Sequence, residues 1–125
     1  MKPLAAAVLL LGLLLTGCSG LAKPSVLDAP EGYNNVENEL AIREAPAGTV
    51  CSIESVACRV VEAFAIKDCP GGAYIEARVV DASGVVIGMT NATLPALKAG
   101  DYGRFEMLIS EAGAANTELS KLSCN

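Results

Sequence analysis

Residues 73–94 read AYIEARVVDASGVVIGMTNATL, and the pattern of this stretch decides the fold class. Ala73, Ile75, Ala77 and Val79 alternate with Tyr74, Glu76 and Arg78, the period of two expected of a strand with one buried face. Asp81-Ala82-Ser83-Gly84 then interrupts the run with turn chemistry. An aspartate side chain accepts from backbone N–H groups just ahead of it, and glycine supplies a positive φ. Val85 to Leu94 resumes a β-type texture, so the stretch is predicted to be a hairpin.

The neighbouring sequence extends the same reading. Cys58 to Ile66 (CRVVEAFAI) is apolar on both faces except at Arg59 and Glu62, as a central strand would be. Lys67 to Gly72 is a loop, and a second loop runs through Pro95 and Gly100. Gly103 to Ser110 alternates again, with Phe105, Met107 and Ile109 on the inward face. Thr49 to Ile53 reads as a first strand, whereas the stretch from Glu111 onward is rich in Ala, Ser and Asn with weak helical periodicity. Short strands separated by turns, with no internal repeat, predict an all-β fold, a small β-sandwich of about seven strands over residues 48–125.

Composition narrows the function. The 125 residues include no histidine and no tryptophan, and nine Lys plus Arg stand against fourteen Asp plus Glu for a net charge of −5. Histidine-based catalysis, a histidine-ligated metal and a basic nucleic-acid surface are excluded. The chain is 52% hydrophobic, with the excess at its start. After Met1-Lys2, Leu4 to Leu15 is an apolar run broken only by Gly12. Twelve helical residues span about 18 Å, short of the roughly 30 Å hydrocarbon core, so a secretory h-region fits and a transmembrane anchor does not. Residues 1–17 are read as a signal peptide, and residues 18–47, punctuated by prolines, glycines and asparagines, as a tether. Within it, Val36 to Ile42 has the texture of a short strand or a helical turn that docks on the domain.

Leu15-Thr16-Gly17-Cys18 resembles the bacterial lipoprotein lipobox. The resemblance implies cleavage between Gly17 and Cys18, followed by diacylglyceryl transfer to the Cys18 thiol and membrane attachment through the acylated N-terminus. More than one acyl chain anchors stably where a single chain is marginal. Ser19, in place of a retaining aspartate, points to the outer membrane in a two-membrane cell. The expected location is therefore the bacterial cell envelope. Cleavage also removes Lys2, leaving an acidic domain of net charge −6 that would repel anionic headgroups.

Residues from about Val60 to Ser110 are similar to the FxLYD domain, a small extracellular immunoglobulin-like sandwich. The order of parts carries the similarity: a strand ending in Asp81, the Gly84 turn, Val85-Val86, Thr90 to Leu94, the loop Leu97-Lys98-Ala99-Gly100-Asp101, and a strand opening on Phe105-Glu106-Met107. Ala77-Arg78-Val79-Val80-Asp81 keeps the family's aspartate with smaller residues ahead of it. The resemblance implies a fold and a surface location, and it implies no catalytic residues.

With Cys18 assigned to lipid, Cys51, Cys58, Cys69 and Cys124 remain, an even count that in an exported domain reads as two disulfides. Three connectivities are possible. Cys51–Cys58 with Cys69–Cys124 is preferred, because the first would cross-link the opening strands and the second would pin the C-terminal tail to the Cys69 loop. A four-thiolate zinc site is disfavoured by the absence of any C-x2-C pair. A calcium loop at Asp81 has one carboxylate where several are needed, and the Asn91-Ala92-Thr93 sequon lies within a predicted strand. The Cys69 loop lacks phosphate-loop spacing. Glu54, Glu62, Glu76 and Glu106 are scattered on half-exposed strands, which favours solvent-facing roles over an acid–base pair. No cofactor or metal is expected. Tyr33, Tyr74 and Tyr102 are the aromatics expected at a contact surface. These features point to a non-enzymatic, lipid-anchored interaction or scaffold module that binds an unidentified envelope protein. An inhibitor or accessory subunit of one envelope enzyme is the second reading.

Overall fold

In the computed structural model, residues 26–53 and 57–125 are described. The expected signal peptide with its Gly17 and Cys18 cleavage and acylation positions, and Glu54, lie outside them. Seven strands follow in order: β1 (Asn34–Val36), β2 (Leu40–Glu44), β3 (Ala57–Ala65), β4 (Ala73–Val80), β5 (Val86–Leu94), β6 (Tyr102–Ile109) and β7 (Asn116–Cys124). They form two antiparallel sheets, β1-β2-β3-β6 and β5-β4-β7, and among the described residues there is no helix. The all-β expectation holds. The chain changes sheet after β3, β5 and β6, so β3 pairs with β6 and β4 with β7 across the sequence, as in a Greek-key sandwich.

The inner faces explain why these segments are strands. Ala73, Ile75, Ala77 and Val79 of β4 are all buried, and the first three share one core cluster with Val61, Ala63 and Ala65 of β3 and Phe105 and Met107 of β6. Ile109, expected to face inward with them, is half-buried at the rim. The Asp81 turn is formed as read. Oδ1 of Asp81 accepts from the Ser83 and Val85 N–H groups, and Gly84 has φ +80°.

Three segments differ from the sequence reading. Asn34–Glu44 falls in the expected tether, with Val36 to Ile42 as a short strand or helical turn docked on the domain. The strand alternative holds and extends, since the segment forms β1 and β2, and Leu40 and Ala41 are buried on opposite faces of the sheet. The sandwich therefore starts within residues 18–47 rather than at residue 48, because β3 needs a neighbour on its second edge. Thr49 to Ile53 is irregular rather than a strand, and Val50 is 77% exposed. The Cys51–Cys58 bridge folds this segment back on the start of β3. The C-terminal stretch, read as weakly helical, is β7, a strand on the edge of its sheet. A bulge at Ser120 breaks its alternation, since Lys121 faces Glu76 while Leu119 faces Ala77. Such a bulge, with Glu118 and Lys121 beside it, also blunts the open edge against pairing with another strand.

Both disulfides match the preferred pairing. Cys51 and Cys58 are 6.1 Å apart at Cα, and Cys69 and Cys124 are 5.1 Å apart. The second bridge sits where Asn125 exchanges backbone hydrogen bonds with Gly71 and Gly72.

Candidate functional site

Register places two surfaces. On the outer face of the four-stranded sheet, antiparallel pairing aligns Ala41, Phe64 and Tyr102 in one row and Arg43, Glu62 and Arg104 in the next. Residues 26–33 lie over one end of this face, where Ala29 and Tyr33 cover Ala41, Phe64 and Ile66, and the Leu27 N–H donates to the Ile66 carbonyl. The Cys51 loop covers the other end, where Ser52 donates to Glu106 and Arg104 donates to the Val50 carbonyl at 2.6 Å. Between the two covers lies a shallow recess of about 440 Å3, lined by Tyr33, Arg43, Glu62, Tyr102, Gly103 and Arg104.

The recess is held by its own residues. Arg43 Nε donates to Glu62 Oε2 at 2.6 Å, and its guanidinium stacks 4.6 Å from the centre of the Tyr33 ring. The bond to Glu62 raises the Arg43 pKa, and burial raises that of the Tyr33 phenol. Tyr102 meets Phe64 at 5.0 Å and Tyr33 at 6.1 Å, both edge-on, and remains 63% exposed. Arg104 donates to Glu106 Oε1 at 2.7 Å. Hydrogen bonds from Ser52, first among several causes, hold the Glu106 carboxyl below its ordinary range.

The second surface is the pole opposite the point where residues 26–33 join the sheet. There the β4–β5 hairpin exposes Val85, Val86, Ile87 and Met89, with Val85 and Met89 each 57% exposed. Beside it is a cleft of about 710 Å3 whose lining includes Glu44, Arg59, Glu111, Asn116 and Thr117. Arg59 is fully engaged in that cleft: it pairs with Glu44 on β2 and donates to the carbonyl and hydroxyl oxygens of Thr117 on β7, tying the sheets together.

Of the residues singled out from sequence, Tyr33 and Tyr102 come together, while Tyr74 lies on the other sheet. There it donates to Glu76 at 2.6 Å and lies under the Lys121 ammonium. Glu62 and Glu106 share the outer face of the first sheet and are each paired with an arginine, and Glu76 is on the opposite sheet. Arg43 and Arg104 were not singled out by sequence reasoning; only the β2–β3–β6 register brings them together. No protein-family model matches the chain, and no curated protein or solved structure is significantly similar to it.

Proposed function

We propose that this protein is a lipid-anchored cell-envelope protein, acylated at Cys18, whose sandwich is a non-catalytic, FxLYD-like interaction module for another envelope protein. The observation that carries the reading is the polarity of the domain. Residue 27 joins the sheet beside Ile66 and Gly100, at the end where β3 finishes and β6 begins. The exposed run Val85, Val86, Ile87 and Met89 is at the other end, where Thr90 bonds the Leu108 carbonyl and Gly88 lies against Glu111. A tether leaving from residue 26 toward a membrane therefore holds this apolar hairpin outward. Exposed apolar side chains at a rigid hairpin tip are suited to a protein partner. The lipobox, the two disulfides and the acidic charge support an exported, surface-held domain. Glu62 in the recess and Glu106 beside it, each paired with a guanidinium, are suited to structural rather than acid–base roles.

Two measurements test this. Intact mass of the mature protein is expected to show a chain beginning at Cys18 with added acyl mass; a chain beginning before Cys18 without it refutes the anchor. Detergent extraction and pull-down are expected to capture an envelope protein, with capture lost in Val85→Ser/Met89→Ser. Unchanged capture by that variant refutes the assignment of the hairpin. Capture of one enzyme at fixed stoichiometry would favour the accessory-subunit or inhibitor reading, for which the same apolar tip provides the contact.

A further inference from the structure

The recess on the first sheet is remote from the hairpin tip, and its chemistry is of a different kind. Tyr102 is braced by two edge-on aromatic contacts that fix its plane without covering it. Ordering a ligand against such a ring costs little, because the ring is already ordered. Beside it, Arg43 uses Nε on Glu62, leaving its two Nη groups without a partner among the described residues. Glu62 Oε1 likewise accepts no bond among them, whereas Oε2 takes Arg43 and a long 3.5 Å contact from the Tyr33 hydroxyl. The recess thus presents an apolar ring face next to free donors and a free acceptor.

Charge selects among ligands. Arg43 and Arg104 are balanced by Glu62 and Glu106, so the recess is neutral, and it belongs to a protein of net charge −5. An anion would meet guanidiniums already neutralised, and a cation would compete with them for the carboxylates. A neutral molecule with one apolar face and a rim of hydroxyls satisfies every element: its C–H face lies on Tyr102 while its hydroxyls donate to Glu62 and accept from Arg43. A pyranose ring has that form. The volume of about 440 Å3 falls within the range of small-molecule sites, about 300–1,000 Å3.

From this geometry we infer that the Tyr33–Tyr102 recess is a binding site for a neutral saccharide, with Tyr102 as the stacking platform and Arg43 and Glu62 as hydroxyl-reading groups. It goes beyond the proposed protein contact, which uses the β4–β5 hairpin of the other sheet, and it does not depend on the anchor.

The test is titration of the mature protein with chitotetraose in its fully N-acetylated, neutral form and, separately, cellotetraose, followed by amide and arginine side-chain NMR shifts. Shifts are expected to centre on Tyr33, Arg43, Glu62, Tyr102 and Arg104. Tyr102→Ala is expected to weaken binding about tenfold or more and Tyr102→Phe to restore most of it, since the ring rather than the hydroxyl provides the platform. Tyr102 is largely exposed, so both variants should fold, which melting curves check. Tyr74→Ala, on the other sheet, should bind as the parent does. Binding of chitotetraose alone assigns the site to N-acetylated amino sugars, and binding of both assigns it to the pyranose face itself. No shift with either sugar at millimolar concentration, or equal binding by Tyr102→Ala, overturns the inference.

Discussion

Removing the two disulfides separately should have unequal effects, and the inequality can be worked from the fold. A bridge stabilises chiefly by restricting the unfolded chain, by an amount that grows with the logarithm of the loop it closes. Cys69–Cys124 spans 55 residues and Cys51–Cys58 spans 7. The chain-entropy relation gives about 4.2 kcal/mol for the first and about 2.4 kcal/mol for the second, a difference of about 1.8 kcal/mol. Cys69 is also wholly buried within the core, so Cys69→Ala/Cys124→Ala loses packing as well, which widens the gap in the same direction. Urea unfolding of the two double-alanine variants, with the parent as reference, measures both losses. At roughly 4–8 °C per kcal/mol for a domain of this size, the long-loop variant should melt roughly 7–14 °C below the short-loop one. Equal losses, or a larger loss for Cys51→Ala/Cys58→Ala, would refute the reasoning. The Cys51 bridge would then act by holding the native outer face rather than by restricting the unfolded chain.

Gly72 has φ +84°, and a Cβ there would overlap the Leu94 carbonyl oxygen, whereas Gly84 has φ +80° and open space around it. Gly72→Ala should therefore cost about 3 kcal/mol or more and Gly84→Ala only about 1 kcal/mol, as measured by urea midpoints. The hydrogen bond to Glu76 is the main reason the Tyr74 phenol lies above its ordinary value of 10.0, so Glu76→Gln should bring Tyr74 phenolate formation to lower pH in an ultraviolet titration. An unchanged titration curve would contradict the geometry of that pair. The Glu106 carboxyl is depressed below 4.5 in the folded state, so its contribution is complete above that pH and fades as pH falls through the folded value. Glu106→Gln should therefore flatten the acid side of the stability–pH profile, and an acid limb as steep as the parent's would show that the Ser52 and Arg104 contacts are not formed in solution.

The hairpin at residues 73–94 was legible because everything that specifies it is local: alternation, an aspartate-led turn and a glycine at positive φ. The cysteine pairing was legible in part, from the need to pin a C-terminal tail. The misread segments are those whose structure is set by partners distant in sequence. Thr49 to Ile53 has β-type residues, but a seven-residue covalent loop leaves it no strand to pair with. β7 is polar because its outer face meets water, and the Ser120 bulge hides what alternation remains. Val36 to Ile42 could be read only as a short strand or helical turn docked on the domain, and its place in the sheet is set by the pairing of Leu40 to Glu44 with Val61 to Ala65. The recess followed the same logic. Its tyrosines could be chosen as exposed aromatics, but Arg43 and Arg104 are sixty-one positions apart and meet only because both face Glu62 across β3.

The longer disulfide also governs how the domain would behave under mechanical load. It closes β4, β5, β6 and β7 into one covalent ring, while β1, β2 and β3 lie outside it. Tension drawn through residue 26 can therefore peel away only the first three strands. Between Cys69 and Cys124 the ring withholds roughly 180–200 Å of contour length that a reduced chain would release. Tyr33 and Arg43 are on the extensible part and Tyr102 on the ring, so stretching would pull the recess apart before it disturbed the hairpin tip. A molecule lodged across that seam would act as a clasp, raising the force at which the first strands detach.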